Sequence, residues 1–225
     1  MPLEKEILMP HGTVIHTWLI TESSAELASM CLNAGIDAEV KAKAESRRQE
    51  ILSERLLLHS TLGSEVDLNH NDDHAPWLSN VGEMNISIAH TRGKLCVAFN
   101  PTMAVGIDLE HIARAKRAHG VRTAFLNKSE LAWLPEADAA AHLVAWLAKE
   151  AVFKVISVRS KVKNYRDEIV LGPFDVPAEG GEAIHSASFY DQRFTLHTLN
   201  DGTDMLTLAY EIPNTEFIIN HLKNK

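Results

Sequence analysis

Two stretches of the chain show the clearest pattern of apolar and polar positions. Residues 105–110 alternate an aliphatic side chain with glycine or an acidic residue, which is the period-two pattern of a half-buried strand. Residues 143, 147, 151 and 155 are apolar and recur every four positions, so they predict a helix over residues 138–158 that buries this stripe. The strand therefore presents carboxylates on its polar face, and the helix places Glu150 and Lys154 one turn apart on a neighbouring face.

The remaining patterns predict a mixture of helices and short strands. In the first part of the chain they predict a strand at residues 15–20, a long helix at 39–62 that stops at Gly63, a surface loop at 66–81, and a β-hairpin at 85–90 and 94–99. After Glu110 they predict a basic loop, a short helix at 129–134, and a second hairpin at 193–199 and 205–210. The expected fold class is α+β.

The order of these elements indicates two similar halves. Each half runs from helices into a hairpin, and 225 residues can form either one large domain or two compact units. We expect two α+β halves, residues 1–103 and 104–225, with the boundary inside residues 100–103.

Composition narrows the class of protein. The formal net charge is −8, which argues against nucleic-acid binding because that binding depends on neutralising phosphates with basic side chains. Cys31 and Cys96 form no Cys-x-x-Cys pair, so neither a disulfide framework nor a thiolate metal site is expected. The N-terminus lacks the apolar run of a signal peptide, and no apolar stretch approaches the roughly 20 residues needed to cross a bilayer. We therefore expect a cytoplasmic protein without a membrane segment.

Basic side chains are concentrated in two places on this acidic chain. The first group is Lys41, Lys43, Arg47, Arg48 and Arg55, and the second is Arg114, Lys116, Arg117, Arg122 and Lys128. Two basic patches indicate discrete anionic partners. A run of charges is also typical of a solvated helix face or loop, so the pattern alone leaves both interpretations open.

Asp108, Glu110, Glu150 and Lys154 carry the candidate chemistry. Carboxylates are the hard oxygen ligands that Mg²⁺ favours, with phosphate oxygens and water completing its shell. An ammonium one turn from Glu150 is a compact charge suited to a phosphate. The structural alternative is a strand with a solvated face and an exposed Glu150–Lys154 salt bridge, which contributes only about 0.2–0.5 kcal/mol.

The two fragments together resemble the 4'-phosphopantetheinyl transferase family. Its pattern is a Val/Ile-Gly-Ile/Val-Asp strand followed about forty residues later by Trp/Phe-x-x-Lys-Glu-Ala/Ser-x-x-Lys, and this chain has Val105-Gly106-Ile107-Asp108 and Trp146-Leu147-Ala148-Lys149-Glu150-Ala151-Val152-Phe153-Lys154 at that separation. Leu147 departs from the Ser, Thr or Cys that usually follows the Trp. In length the chain is similar to the larger, two-lobed (Sfp-type) members. This implies a monomer of two similar α+β halves related by a pseudo-twofold axis, with the active site at their interface.

The resemblance implies roles for individual residues. Asp108, Glu110 and Glu150 correspond to the metal ligands, and Glu150 takes the proton of the substrate serine, directly or through water. Lys154 corresponds to the lysine that reaches the α-phosphate, so Asp108, Glu150 and Lys154 form the implied catalytic set. The residues expected to contact coenzyme A are Arg47, Arg48, Arg55, His90, Lys149 and Lys154. Without the resemblance, these basic residues are equally compatible with solvated helix faces, a solvated lysine at 149 and a packing histidine at 90.

The implied activity is a Mg²⁺-dependent transfer of 4'-phosphopantetheine from coenzyme A to a serine of an apo acyl or peptidyl carrier protein, with release of 3',5'-ADP. The basic segment at residues 114–122 is the expected landing site for the acidic carrier. Two other functions use the same residues. One is a metal-dependent phosphohydrolase with water as the nucleophile, and the other is a non-catalytic scaffold that binds carrier proteins.

Overall fold

The computed structural model of this protein describes residues 5–63, 66–71, 75–80, 82 and 84–212. The chain divides into two compact units between Thr102 and Met103. Each unit combines helices with antiparallel sheet, which confirms the predicted α+β class. The pseudo-twofold relation between the halves stays a prediction. Across the described ranges, no helix is both long enough and apolar enough to cross a bilayer.

The first unit contains a four-stranded sheet, two helices and a small separate hairpin. Its elements are β1 (Lys5–Leu8), β2 (Val14–Leu19), α1 (Ser24–Asn33), α2 (Glu45–Leu62), β3 (Asp67–His70), β4 (Pro76–Ser79), β5 (Asn85–Thr91) and β6 (Lys94–Asn100). The main sheet has the order β1-β2-β6-β5, and β3 pairs with β4. Leu52 and Leu56 of α2 are buried in one core with Leu27 of α1 and Leu95 of β6. The apolar stripe of α2 therefore attaches this helix to the sheet.

Two features of the first unit agree with the sequence. The predicted helix stop at Gly63 is confirmed, because Gly63 ends α2 with a φ of 99°, a left-handed value that glycine adopts without strain. The predicted hairpin is confirmed as β5 and β6, whose register leaves Arg92 and Gly93 as the turn. Both turn residues have positive φ values, 39° and 78°, which suit a two-residue hairpin loop.

Two predictions for the first unit are wrong in part, and one helix was missed. The long helix begins at Glu45 rather than at residue 39, and the Glu45 carboxylate instead accepts hydrogen bonds from the backbone N–H and hydroxyl of Ser24. The predicted loop at residues 66–81 contains the β3–β4 hairpin, with Pro76 at the first position of its strand, where a missing N–H is tolerated; residues 72–74 and 81 lie outside the described residues. Helix α1 was not predicted, although Ser23 and Glu26 form a capping box at its start.

The second unit is a five-stranded antiparallel sheet with a long helix packed on one face. Its elements are β7 (Val105–His111), α3 (Ala115–Gly120), α4 (Arg122–Phe125), α5 (Lys128–Trp133), α6 (Ala139–Ser157), α7 (Tyr165–Glu168), β8 (Ile169–Leu171), β9 (Glu182–Phe189), β10 (Gln192–Asn200) and β11 (Asp204–Glu211). The strand order is β7-β11-β10-β9-β8. Ala148 and Val152 of α6 share a core with Phe194 and Leu196 of β10 and Ala209 of β11. Helix α6 thus packs on the sheet, mainly over β7 and β11.

The sequence predicted the elements that carry the motifs in this unit. Helix α6 has Asp138 as its N-cap and Val158 as its C-cap, which matches the predicted range. The second hairpin is confirmed as β10 and β11. Leu147, the departure from the family pattern, is buried with Leu143 and Met205, so it fills the core beneath the helix. The predicted basic loop after Glu110 is wrong, since this segment folds into a short 3-10 turn and helices α3 and α4.

Candidate active site

Gly106 lets strand β7 and helix α6 approach each other closely. A Cβ atom at this position would lie 2.0 Å from the carbonyl oxygen of Ala151 and 2.9 Å from Cγ2 of Val155. No real side chain fits at such distances, so only glycine allows this packing. The close approach brings Asp108, on the same strand face as Gly106, toward the turn of α6 that carries Glu150 and Lys154.

We expect Gly106→Ala to lower the free energy of unfolding by about 1–3 kcal/mol, because the added methyl group must push the backbone of α6 away from β7. Urea denaturation measures the change. Gly120→Ala is the matched control, since a Cβ at Gly120 would have no atom within 4 Å. Equal stability of the two variants would show that the strand–helix contact tolerates a side chain.

Asp108 and Lys154 form an ion pair that joins β7 to α6. The Lys154 Nζ lies 2.9 Å from Oδ1 of Asp108 and also donates to the carbonyl oxygen of Ile107 at 2.7 Å. The Lys154 side chain is 28% exposed. Lys154 therefore pairs across the strand–helix contact. This differs from the structural alternative, in which it would form an exposed salt bridge with Glu150 along the helix.

Glu150 occupies a poorly solvated position near this ion pair. Its Oε1 accepts a hydrogen bond from the Tyr165 hydroxyl at 2.9 Å. Burial raises the pKa of Glu150, and the negative charge of Asp108 raises it further. Burial also raises the pKa of Asp108, although Lys154 opposes that shift. The pKa of Tyr165 is raised well above its usual value by burial and by Glu150, so the phenol stays protonated and donates.

The chemistry of these donors fits a divalent cation. Asp108 and Glu150 offer hard carboxylate oxygens from β7 and α6, and their raised pKa values mean that negative charge at this place is poorly stabilised. A bound Mg²⁺ would supply the missing positive charge, and Mg²⁺ commonly takes only one or two protein carboxylates beside phosphate oxygens and water. Within the described part of the chain, no three His, Cys, Asp or Glu side chains are arranged as a metal-ligand group. Asp108 and Glu150 are the two carboxylates that would hold such a cation here.

Glu110, the third expected ligand, is engaged elsewhere. Its Oε2 lies 3.0 Å from Nε of Arg114, and its Oε1 accepts the backbone N–H of His111 at 2.9 Å. It lies two residues from Asp108 on the same strand face, and its charge contributes to the raised pKa of Asp108. Glu110 thus lies close to Asp108, but its carboxylate is engaged by Arg114 and His111. Its role as a metal ligand stays a prediction.

Lys149 is buried, unlike Lys154. Its side chain is 0% exposed and lies 2.8 Å from Oε2 of Glu130, which is also 0% exposed. The same ammonium donates to the carbonyl oxygens of Arg166 and Ile169, each at 2.7 Å. An ammonium has three N–H donors, and these three oxygens occupy all of them. The contacts exclude the solvated alternative for Lys149 and disfavour the cofactor-binding role that the resemblance implies.

The basic residues of the first unit fall into two groups. Arg47 and Arg55 line one cavity of about 440 Å³, together with His59 and His70. Arg47 pairs with Glu50 at 2.9 Å on the helix surface. Arg55 donates to two backbone carbonyl oxygens of the segment before α2, at 2.7 and 3.0 Å. Arg48, by contrast, ion-pairs with Glu45 and joins α2 to the start of α1.

His90, at the end of β5, contacts a buried acid. Its Nε2 lies 2.9 Å from Oε1 of Glu54, which is 7% exposed. This distance makes the Glu54 carboxylate the neighbour of Nε2 in the folded chain. The same carboxylate would repel a phosphate at this position. Glu54 is therefore a residue that the sequence interpretation missed and that bears on the role of His90.

A second cavity, of about 340 Å³, lies beside Glu110 in the second unit. Its wall combines two arginines with apolar side chains, namely Arg114, Arg117, Ala118, Val121, Ala124, Leu143 and Trp146. Val121 is 44% exposed at its edge. This cavity thus combines apolar side chains with two arginines next to strand β7.

Sequence reasoning missed Glu130 and Tyr165. Glu130 has a detectable local signal, because Asn127 and Glu130 form a capping box at the start of α5, but that signal indicates a helix cap rather than a partner for Lys149. Tyr165 lies in a polar segment without clear periodicity. Only the folded chain brings its hydroxyl to Glu150.

Residues 104–200 match the family model of the 4'-phosphopantetheinyl transferase superfamily. The match covers less than half of the 225 residues, and it contains Asp108, Glu110, Glu150, Lys154 and Tyr165. It confirms the resemblance inferred from the two motifs and supports phosphopantetheinyl transferase activity in general. A search of curated proteins found no significant match to this chain.

Proposed function

We propose, from the superfamily match over residues 104–200, that this protein transfers 4'-phosphopantetheine from coenzyme A to a serine hydroxyl of an apo acyl or peptidyl carrier protein. The proposal includes Mg²⁺ as cofactor and 3',5'-ADP as the second product. The observation that carries it is the close placement of Asp108, Glu150 and Lys154 where Gly106 lets α6 approach β7. These groups match what transfer of a phosphoryl-linked group requires: negative charge for a cation, positive charge for phosphate and a base.

The proposed roles follow from the surroundings of each side chain. The serine oxygen bonds to the phosphorus that carries pantetheine, the bond from that phosphorus to the bridging oxygen breaks, and 3',5'-ADP leaves. Glu150 accepts the serine proton, directly or through water, because its carboxylate lies beside the Asp108–Lys154 pair. Lys154 offsets negative charge on the pyrophosphate. When bound at Asp108 and Glu150, Mg²⁺ would supply further positive charge to the phosphate oxygens.

The first unit offers candidate contacts for the nucleotide phosphates. Arg47 and Arg55 are favoured because both line the 440 Å³ cavity, and a guanidinium binds phosphate through two parallel hydrogen bonds. Arg48 is less favoured because it does not line this cavity; all three arginines already pair with a carboxylate. His90 fits only if the Glu54 carboxylate, 2.9 Å from its Nε2, moves away when phosphate binds.

The direct experiment is incubation of the protein with coenzyme A, Mg²⁺ and an apo carrier protein, followed by intact-mass measurement of the carrier. A mass gain of one phosphopantetheine group supports the proposal. Loss of coenzyme A without modification of the carrier would support the phosphohydrolase instead. Binding of carrier without loss of coenzyme A would support the scaffold. A panel of fatty acid, polyketide and nonribosomal peptide carriers then identifies the pathway served.

The proposal also places carrier docking at the second cavity. Helix α3 presents Lys116 and Arg117 as exposed side chains, while Arg117 lines a pocket with the apolar Val121 and Trp146. An acidic helix with apolar anchors is complementary to this surface, and the opposite charges speed and orient its approach. Glu110 adjoins this cavity and lies on β7 two residues from Asp108, so a carrier docked here would hold its serine near Asp108 and Glu150.

Reversing Lys116 and Arg117 to Glu should raise KM for the carrier about tenfold or more while KM for coenzyme A stays unchanged, because surface charge acts mainly on protein encounter. Arg114 is left intact because it pairs with Glu110. The measurement is steady-state kinetics with each substrate varied in turn, at low and high salt. High salt should reduce the difference from wild type.

Lys41→Glu combined with Lys161→Glu is the matched control for this prediction. Both lysines are exposed and lie outside α3, so the pair gives the same change in net charge at other places. Equal effects of the two double variants on the carrier KM, or an equal loss for carrier and coenzyme A in the α3 variant, would contradict the docking proposal.

A further inference from the structure

We infer that Tyr165 is a positioning residue for Glu150, and that the buried Lys149–Glu130 pair fixes the segment that carries Tyr165. The inference rests on the proposed transfer function and assigns residues that support its catalytic carboxylate. In this arrangement, contacts run without a break from Glu130 on α5 to Lys149 on α6, and from there through α7 to the Glu150 carboxylate.

The contact between Tyr165 and Glu150 is specific in geometry. The phenol hydroxyl donates to Oε1 of Glu150 at 2.9 Å. The Tyr165 ring packs edge-to-face on Phe153, with ring centroids 5.8 Å apart, so the ring has a fixed orientation from which its hydroxyl reaches the carboxylate. One carboxylate oxygen is thereby held, and Oε2 is the oxygen left to accept a proton or bind a cation.

The position of Tyr165 depends on the residue next to Glu150. Tyr165 begins the short helix α7, and the Lys149 ammonium binds the carbonyl oxygens of Arg166 and Ile169, one within and one just after that helix. Lys149 and Glu150 are neighbours on α6. Lys149 holds α7 in place, and Glu150 accepts the hydrogen bond from the Tyr165 hydroxyl on α7. A shift of α7 would therefore move the hydroxyl relative to Glu150.

Glu130 holds the other side of this arrangement. Its Oε2 accepts from Lys149 at 2.8 Å and from the backbone N–H of Asn127 at 2.8 Å, while its Oε1 accepts the backbone N–H of Leu171 at 2.8 Å. A single buried carboxylate therefore connects the start of α5, the ammonium on α6 and strand β8. Buried networks whose members are all satisfied are rigid, and groups that orient a metal-binding or catalytic side chain affect affinity and rate as strongly as many direct contacts.

The experiment is Tyr165→Phe, which removes the hydroxyl and keeps the ring. We expect kcat for phosphopantetheine transfer to fall about tenfold while KM for coenzyme A and for the carrier stays the same, because the substrates do not touch the removed group. We also expect the Kd for Mn²⁺, measured by calorimetry without substrates, to rise about tenfold, which is within the range found for groups that orient metal ligands. The melting temperature should remain close to that of wild type.

Tyr190→Phe is the matched control. The Tyr190 hydroxyl also donates to a glutamate, Oε1 of Glu168 at 2.8 Å, but Tyr190 is 68% exposed. This variant should match wild type in kcat and in Mn²⁺ affinity. Wild-type kcat and Mn²⁺ affinity in Tyr165→Phe would overturn the inference. If wild-type protein shows no transfer, the proposed function fails, and the Mn²⁺ affinities of the two variants still decide whether Tyr165 positions Glu150.

Discussion

Glu150→Gln should lower kcat for phosphopantetheine transfer by about 10²- to 10⁴-fold, the range lost when a positioned general acid or base is removed. The amide has the same size, and its oxygen can still accept the Tyr165 hydrogen bond. What it loses is the negative charge that takes the serine proton and helps Asp108 to hold a cation. The measurement is the single-turnover rate of mass gain on the carrier protein.

The same substitution should leave the protein at least as stable as wild type. Burial and the charge of Asp108 raise the pKa of Glu150 on folding, so the ionised side chain opposes folding at any pH above that pKa. Glutamine removes this charge. Urea unfolding at neutral pH should therefore show no loss of stability, as expected for a residue kept for function at the expense of stability.

Glu168→Gln is the control for the Glu150 variant. Glu168 lies in the same region, at the end of α7, and its carboxylate accepts hydrogen bonds from Tyr190 and from the backbone N–H of Lys163. Its loss should leave kcat unchanged. Normal turnover by Glu150→Gln would remove Glu150 from the proposed mechanism, while a large loss in both variants would indicate that the α7 region is generally sensitive to substitution.

The parts of this site that the sequence predicted are those with a strong local period. Alternation over residues 105–110 and the four-residue stripe of α6 predicted a strand and a helix, each with one apolar face. The stripe of α6 packs on the face of β7 that carries Gly106 and Asp108 rather than on its aliphatic face, which the alternation alone does not indicate. Gly106 appeared in the motif, but its physical role depends on the position of Ala151 on another element. Local patterns therefore predicted the strand and the helix. The short distance between β7 and α6 at Gly106 could be seen only in the structure.

The parts that could not be predicted depend on long-range partners. The basic segment after Glu110 has little apolar periodicity, so it was read as a loop although it forms α3 and α4. Lys149 and Lys154 lie five positions apart on the same helix, and the resemblance implies a contact with coenzyme A for both. The structure separates them by burial, 0% exposed against 28%. This difference arises because Glu130, which is distant in sequence, offers Lys149 a buried carboxylate.

Lys149→Met should lower the free energy of unfolding by about 3–5 kcal/mol, the cost of removing one partner from a buried ion pair. Methionine has a similar volume and fills the space of the lysine side chain, so the variant has no new cavity. The lost free energy of unfolding therefore measures the missing charge and hydrogen bonds. Glu130 would remain buried without its cation, and two carbonyl oxygens would lose their donor. Urea unfolding of the single variants and of Lys149→Met combined with Glu130→Gln measures the effect.

The double variant separates the two explanations for Lys149. If Lys149 and Glu130 act as a structural pair, the double variant should be less destabilised than the sum of the single variants, since glutamine leaves no buried charge behind. If Lys149 were instead a phosphate contact, Lys149→Met would raise KM for coenzyme A, its stability would change by less than about 1 kcal/mol, and Glu130→Gln would show no coupling to it. The Lys149 ammonium is already bonded to three protein oxygens, so it cannot turn to a phosphate without breaking the contacts that hold α7. A higher KM for coenzyme A in folded Lys149→Met, without a change in its stability, would therefore contradict the role assigned to this pair.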